Sequence, residues 1–288
     1  MRPPFPYYGG KDTLRKHILP LVEAADQKKY AEIFFGGGAI FWRKRPHKIE
    51  YVNDLNDFVV AFLEVCQSSK KIDELVKLIE LSLHSRTLFQ RAQLIYRDPK
   101  GSTDIEMAWS IWYQCVNAFG AKLGYGGWNA GVKSPDVTSN AGTKTWSARK
   151  HFIASKEKFL ERLSHVQIEN KPANYVLERC AKVEDLIVYI DPPYLSADMG
   201  HYKGMYTLDD WNDTLDILKT AKCKFILSSY PEDGLSDFIK KNGFQSKSIT
   251  QRIAVLHHSQ SSRLKQEVIT YNFKPNQLQF DFCKMSSS

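Results

Sequence analysis

The sequence predicts a doubly wound, mostly parallel α/β sheet carrying a mainly helical insertion, and three observations predict it. Short apolar runs recur, each stopped by glycine, proline, asparagine or serine, as buried strands are. Helical periodicity lies between several of them, the alternation that yields parallel sheets. From about residue 60 to 170 only helical patterns are found, with no convincing parallel strand. The 288 residues suffice for a sizeable core, arranged as one large domain with an insertion or as two domains.

The strongest strand is Leu186-Ile187-Val188-Tyr189-Ile190, which runs into Asp191-Pro192-Pro193-Tyr194. Neither proline can donate to a ladder, so the strand ends there. Asp191 is thus expected at the carboxyl end of a central strand, where open α/β sheets hold their ligands.

At the start, Tyr7-Tyr8-Gly9-Gly10-Lys11 closes a stretch rich in proline and aromatics and reads as a ligand-facing loop. A helix is expected from Asp12, with Leu14, Ile18 and Leu21 on one face and Pro20 ending or bending it. Tyr30-Ala31-Glu32-Ile33-Phe34-Phe35 reads as a strand, followed by Gly36-Gly37-Gly38 and a helix over Ala39-Ile40-Phe41-Trp42. Phe41 stands where a dinucleotide-binding G-x-G-x-x-G needs its last glycine, so that motif is not matched. A shorter glycine turn still brings backbone close to a nucleoside or amino-acid ligand. Ile49-Glu50-Tyr51-Val52 is a second strand, ending in Asn53-Asp54. An acid there suits ribose hydroxyls, because a carboxylate accepts from two neighbouring hydroxyls. The same pair also suits a helix cap, since a helical stretch follows over 55–65.

Within 60–170, Leu75, Leu78 and Ile79 mark one amphipathic helix, and Leu88, Ala92 and Ile95 another. Thr103 and Glu106 make a capping box ahead of a helix whose Trp109 and Trp112 read as core. After Phe119 comes a flexible glycine-aromatic loop through Gly131, then Lys133, Lys144, Arg149, Lys150 and His151. Aromatics interleaved with cations fit a surface that grips phosphates and wedges at bases. Lys122, Tyr125, Trp128 and Asn129 are therefore candidate nucleic-acid contacts. A helix near Ala173–Cys180, a polar loop over 196–204, a helix capped by Thr207 and Asp210, and a strand at Lys224-Phe225-Ile226-Leu227 follow. A helix containing Phe238-Ile239 and a strand over 267–273 close the pattern, with 274–288 as tail.

Composition is that of an ordinary globular chain, 43% hydrophobic and 25% charged. A net charge of +8 favours a polyanionic partner. No apolar run approaches the ~20 residues of a membrane span, and the first residues form no apolar leader, so a cytoplasmic location is expected. Cysteines 66, 115, 180, 223 and 283 are scattered and form no C-x-x-C pair, so they read as reduced thiols rather than a disulfide framework or zinc site. Cys223 reads as a small buried hydrophobe, and His257-His258 as surface loop.

Four motifs in order resemble the Dam-type (alpha-group) DNA adenine-N6 methyltransferases. Tyr7-Tyr8-Gly9-Gly10-Lys11 is similar to the family's opening aromatic-x-Gly-Gly-Lys, and Glu32-Ile33-Phe34-Phe35-Gly36-Gly37-Gly38 to its acid-x-Phe-x-Gly-x-Gly cofactor loop. Asn53-Asp54 resembles the acid after the second strand, and Asp191-Pro192-Pro193-Tyr194 the catalytic tetrapeptide. The resemblance implies a Rossmann-like AdoMet-dependent methyltransferase fold with an inserted, mainly helical target-recognition domain. It implies a discontinuous catalytic domain, 1–59 and 171–273, around a DNA-reading domain over 60–170. Tyr7, Lys11, Asp54 and Asp191 match positions that contact S-adenosyl-L-methionine (AdoMet), and Phe34, Gly36 and Gly38 match the loop beside its methionine portion. Gly126-Gly127-Trp128-Asn129 resembles the Gly-x-Phe-Asn of the DNA-reading hairpin. The family's preceding Arg-Tyr-Asn is absent and Ala130-Gly131 replaces Val-Pro, so the target sequence stays open.

The implied reaction carries methyl from AdoMet to N6 of a flipped-out adenine in double-stranded DNA. Asp191, Pro192, Pro193 and Tyr194 would be catalytic, and no metal is needed because the donor is already activated. A monomer or weak dimer, nucleoid-associated in a bacterial or phage-infected cell and with or without a cognate restriction endonuclease, fits this reading. The alternatives are an RNA adenine-N6 or cytosine-N4 methyltransferase, or a non-catalytic nucleic-acid-binding module on the same scaffold.

Overall fold

The computed structural model describes residues 1–130, 132–134, 137–138, 141–195, 206–253 and 263–276. The expected loop over 196–204, His257-His258, Cys283 and most of the expected tail lie outside the described residues. In chain order the first elements are α1 (Arg15–Ala24), β1 (Lys29–Glu32), β2 (Ile49–Asn53), α2 (Asp57–Gln67), α3 (Ser69–Glu80), α4 (Arg86–Arg97) and α5 (Asp104–Asn117). A 3-10 turn at Phe119–Ala121 precedes β3 (Val132–Ser134), β4 (Val137–Thr138), α6 (Ala141–Leu163), β5 (Val166–Glu169) and α7 (Ala173–Cys180). The chain continues through β6 (Leu186–Ile190), α8 (Leu208–Lys219), β7 (Lys224–Ser229), α9 (Leu235–Asn242), β8 (Gln245–Ile253) and β9 (Arg263–Tyr271). Strands and helices alternate as the expected Rossmann-like α/β class requires. Contacts gather the chain into two compact units.

The first unit comprises Met1–Asp12, Phe35–Pro46 and Glu50–Lys171. In it β2 pairs in parallel with β5, from Glu50 opposite Val166 to Asn53 opposite Glu169. A parallel strand inside 60–170 was not expected; β5 has four residues, too few to show a period, and only Val166 is fully buried. Helices α2 to α6 build the rest. Phe62, Trp112, Phe152 and Phe159 lie at its centre, each at most 2% exposed, so Trp112, and Trp109 with it, are core as read. Asn56, not Asn53 or Asp54, caps α2, its side chain accepting the Phe58 N–H. Thr103 and Glu106 form the capping box of α5 as expected. The helix expected over 39–42 is absent; turns stand there, with Trp42 N–H donating to the Gly38 carbonyl at 3.1 Å.

The end of that turn region is fixed by a nearly dry ion cluster. Glu50 on β2 is paired with Lys44 and with Arg162 of α6. Burial alone would raise its carboxyl, but the hydrogen bonds and charges of Arg162 and Lys44 hold it below the ordinary range. The Arg162 guanidinium also lies 3.7 Å from the Phe41 ring centroid.

The second unit comprises Thr13–Phe34, His47–Ile49 and Pro172–Ser288. Its strands run in the order β1-β6-β7-β9-β8. β6 pairs in parallel with β1 and β7, and β9 runs antiparallel to β7 and β8. All five β6 residues are buried, as a central strand flanked on both sides requires. β1 stops at Glu32 rather than at Phe35, and β9 spans Arg263–Tyr271 rather than 267–273. α1 begins at Arg15 rather than Asp12 and runs on past Pro20, which is buried within it. Thr207 and Asp210 cap α8 reciprocally, as read.

Cys66 and Cys115 in the first unit, and Cys180 and Cys223 in the second, are buried. Burial pushes the Cys180 thiol up to about 11 and that of Cys223 up to about 12, and raises those of Cys66 and Cys115 as well. Among the described residues no helix is long and apolar enough to cross a membrane, and no group of three or more His, Cys, Asp or Glu side chains is placed to hold a metal.

Candidate active site

β2 ends where Asp54 begins its work in the first unit. Asp54 Oδ2 accepts the Gly36 N–H at 2.6 Å and Oδ1 accepts the Asn56 N–H at 2.8 Å. One carboxylate therefore ties the glycine turn to the start of α2. Phe35 N–H donates to the Asn53 carbonyl at 3.0 Å, extending the same tie. Burial pushes the Asp54 carboxyl up to about 6, against the pull of the Gly36, Asn56 and Leu55 N–H groups.

The turn itself has room for no side chain. Gly36 sits at φ +51 and Gly38 at φ +61, both in the left-handed region. A Cβ on Gly36 would stand 2.9 Å from two ring carbons of Tyr7, and one on Gly37 2.6 Å from the Tyr7 Cβ. On Gly38 it would meet the Phe35 ring at 2.3 Å. Tyr7, Gly36, Gly37 and Asp54 are thus one packed group although Tyr7 and Asp54 lie far apart in the sequence. Lys11 is buried, its Nζ donating to the Gly9 carbonyl at 2.9 Å. Phe34 belongs to the second unit, its ring edge-on to Tyr206 at 5.5 Å.

In the second unit β6 delivers Asp191 at its carboxyl end, followed by a buried Pro192 and a half-buried Pro193. The Tyr194 hydroxyl lies 3.1 Å from Asp191 Oδ1 and 3.2 Å from Glu267 Oε2. The Tyr194 ring is 9% exposed and rests against Tyr230, centroids 4.3 Å apart. Burial drives its phenol far above the ordinary range, and the Asp191 and Glu267 charges add to that. Sequence reasoning missed Tyr230 and Glu267. The only signal for Glu267 was an acid opening the apolar run Glu267-Val268-Ile269.

A family model described as D12 class N6 adenine-specific DNA methyltransferase matches residues 7–251. The chain belongs to this family. It is an AdoMet-dependent enzyme that methylates adenine N6 at specific sites in DNA. No curated protein matches the chain. Among solved structures it is similar to a precorrin-8w decarboxylase from Methanobacterium thermoautotrophicum, at 9% identity and a TM-score of 0.37, over 91% of this chain and 90% of that one. It is likewise similar to a precorrin-6y C5,15-methyltransferase from Geobacter metallireducens GS-15, at 10% identity and TM-score 0.37, over 91% of this chain and 87% of that one.

The methyltransferase carries its glycine-aromatic loop on α4 and α5. Far from being loose, the loop is pinned on both sides of Tyr125. Arg97 donates from Nε and Nη2 to the Gly124 carbonyl at 3.0 and 2.9 Å, and Gln114 Oε1 accepts the Gly124 N–H at 2.9 Å. Gln93 Nε2 donates to the Gly126 carbonyl at 2.8 Å. Tyr125 itself is 85% exposed, with the Arg97 guanidinium 4.8 Å from its ring centroid. Lys122 Nζ lies 5.5 Å from the Tyr8 ring centroid. Trp128 is half-buried between His84, stacked at 4.9 Å, and the Arg86 guanidinium at 4.5 Å. Asn129 N–H donates to the Asn117 carbonyl at 2.9 Å. Of the four candidate contacts, Tyr125 is the one turned fully outward.

Proposed function

We propose that Asp191 and Pro192 receive the N6 amine of an adenine flipped out of double-stranded DNA, while Tyr7, Lys11, Phe34, Gly36, Gly38 and Asp54 hold AdoMet. The observation that carries the reading is Asp191 at the end of a fully buried strand, its carboxylate bonded to the Tyr194 hydroxyl.

The first group suits AdoMet in its donor set. The Asp54 carboxylate accepts the Gly36, Asn56 and Leu55 N–H groups and, with about four lone-pair sites on two oxygens, can also accept from a ribose hydroxyl. AdoMet, when bound, supplies a methyl group on a positively charged sulfur. The bare glycine turn lets backbone approach the ligand without a side chain in between.

In adenine the N6 lone pair is spread into the ring. Asp191 accepts one N6–H and the Pro192 carbonyl the other, which favours a more pyramidal nitrogen with its lone pair aimed at the methyl group. Two successive prolines stiffen the backbone, so this carbonyl is set before the base arrives. Tyr194 acts first through its hydroxyl, which orients Asp191; its ring, backed by Tyr230, offers at most its far face to the base. Extruding the base costs a few kcal/mol, which phosphate contacts from residues 60–170 offset. Lys122, Tyr125, Trp128 and Asn129 belong to that DNA-reading part, and 1–59 with 171–273 to the catalytic part.

Purified protein, labelled AdoMet and a panel of duplexes test the reading. Label should appear as N6-methyladenine in at least one duplex; its absence from every adenine-containing duplex sinks the idea. RNA and cytosine-bearing competitors in the same assay separate the RNA adenine-N6 and cytosine-N4 alternatives, since only a true substrate takes up label.

A further inference from the structure

Glu267 carries no role in the reaction described so far, yet it is 4% exposed and reaches the catalytic tetrapeptide. It sits on β9, one step beyond the last β7–β9 pair, Ser229 opposite Val268, and across from Ile249 of β8. The Tyr194 ring that its carboxylate reaches rests against Tyr230. Burying a carboxylate is costly unless it is hydrogen-bonded, and the Tyr194 hydroxyl meets it at 3.2 Å.

The same hydroxyl is 3.1 Å from Asp191 Oδ1. A phenol has one hydrogen to donate, so two carboxyl groups bracket a single O–H. The ring cannot swing or withdraw from Asp191 without also leaving Glu267. Tyr189, next to last in β6, is buried with its hydroxyl 3.1 Å from Ser228 Oγ, and the Asp191 and Glu267 charges act on it as on Tyr194.

We infer that Glu267 is a positioning residue for methyl transfer: through the Tyr194 hydroxyl it fixes the Asp191 carboxylate in the orientation that receives the adenine amine. The inference rests on the role given to Asp191 above. The part of Glu267 is to restrict how far Tyr194, and therefore Asp191, can rotate. Because small misplacements of a reacting group cost rate rather than binding, its loss lowers kcat and leaves KM for AdoMet and for DNA in place.

The experiment is a double-mutant cycle on the full chain with a DNA duplex that the wild type methylates. Glu267→Leu and Tyr194→Phe should each lower kcat by about tenfold. The double variant should be no slower than Tyr194→Phe alone, because the effect of Glu267 passes through that hydroxyl. Glu267→Gln, whose amide N–H can donate to the Tyr194 oxygen while the phenol hydrogen stays on Asp191, should restore kcat to within about threefold of wild type. If Glu267→Leu does not fold, Glu267→Asp, which draws the carboxylate back by one methylene, carries the same cycle. Losses that multiply in the double variant, a Gln variant as slow as Leu, or an unaffected kcat each overturn the inference. Asp191→Ala separates the two claims: if that variant stays active the role of Asp191 itself falls, whereas an inactive Asp191→Ala with a multiplicative cycle removes only Glu267.

Discussion

Two tyrosines show opposite ways of fixing a ring. Tyr194 is held by its own polar end, the hydroxyl lying between Asp191 and Glu267 while the ring stays 9% exposed. Tyr125 is 85% exposed and is held by its neighbours: Arg97, Gln114 and Gln93 grip the backbone of Gly124 and Gly126 on either side. A buried ring fixed through its hydroxyl can orient a catalytic group but has little surface left to meet a substrate. An exposed ring fixed through backbone keeps its whole face for a partner. The contrast suits the roles proposed for them, chemistry for the first and DNA contact for the second.

Breaking the first arrangement should have the largest effect. Asp191→Ala should lower kcat by about 10²–10³-fold or more with the fold intact by circular dichroism, and full activity in that variant would remove Asp191 from the mechanism. Tyr125→Ala should raise KM for DNA by about tenfold, the scale of one lost aromatic–base stack, with kcat and AdoMet affinity unchanged. A fall in kcat without a change in KM would instead join Tyr125 to the chemistry and erase the contrast.

Asp54 stands between the two, because its side chain clamps a backbone turn. Its carboxyl is raised to about 6, chiefly by burial. The ionised form is the better acceptor for ribose hydroxyls. AdoMet affinity should therefore be full well above pH 6 and weaken as pH falls through about 6, by about tenfold per unit below that value once the group is mostly protonated. The stability sign is opposite: a raised carboxyl pKa favours the folded state at low pH, and this contribution is lost as pH rises through about 6. Calorimetric titration of AdoMet from pH 5 to 8 checks the first statement, and Asp54→Asn should flatten the curve.

The sequence announced the elements whose cause is local. β6 is a run of apolar residues stopped by prolines, and the α5 and α8 boundaries are written in Thr103–Glu106 and Thr207–Asp210. It hid elements whose cause is tertiary. β8 reads Gln-Ser-Lys-Ser-Ile-Thr-Gln-Arg-Ile, with no clean alternation, and becomes a strand because β9 offers it nine partners. Pro20 should have stopped α1, but the apolar neighbours Ile18, Leu21 and Val22 bury the helix across it. The glycines after Phe35 were expected to open a helix; with Asp54 holding Gly36 and Tyr7 lying on the turn, residues 39–44 stay as turns. The site divides in the same way. Its motifs were readable, because Asp191-Pro192-Pro193-Tyr194 is contiguous, whereas Glu267 lies 73 residues from Tyr194 and only the fold joins them.

The buried thiols give the molecule a built-in clock. Alkylation needs a thiolate in contact with solvent, and Cys66, Cys115, Cys180 and Cys223 offer none while the chain is closed. Each unit holds two of them, so iodoacetamide uptake located by peptide mass spectrometry should time the opening of each unit separately. If Cys180 and Cys223 gain label at a different rate from Cys66 and Cys115, the two units open independently; a common rate means that they unfold as one.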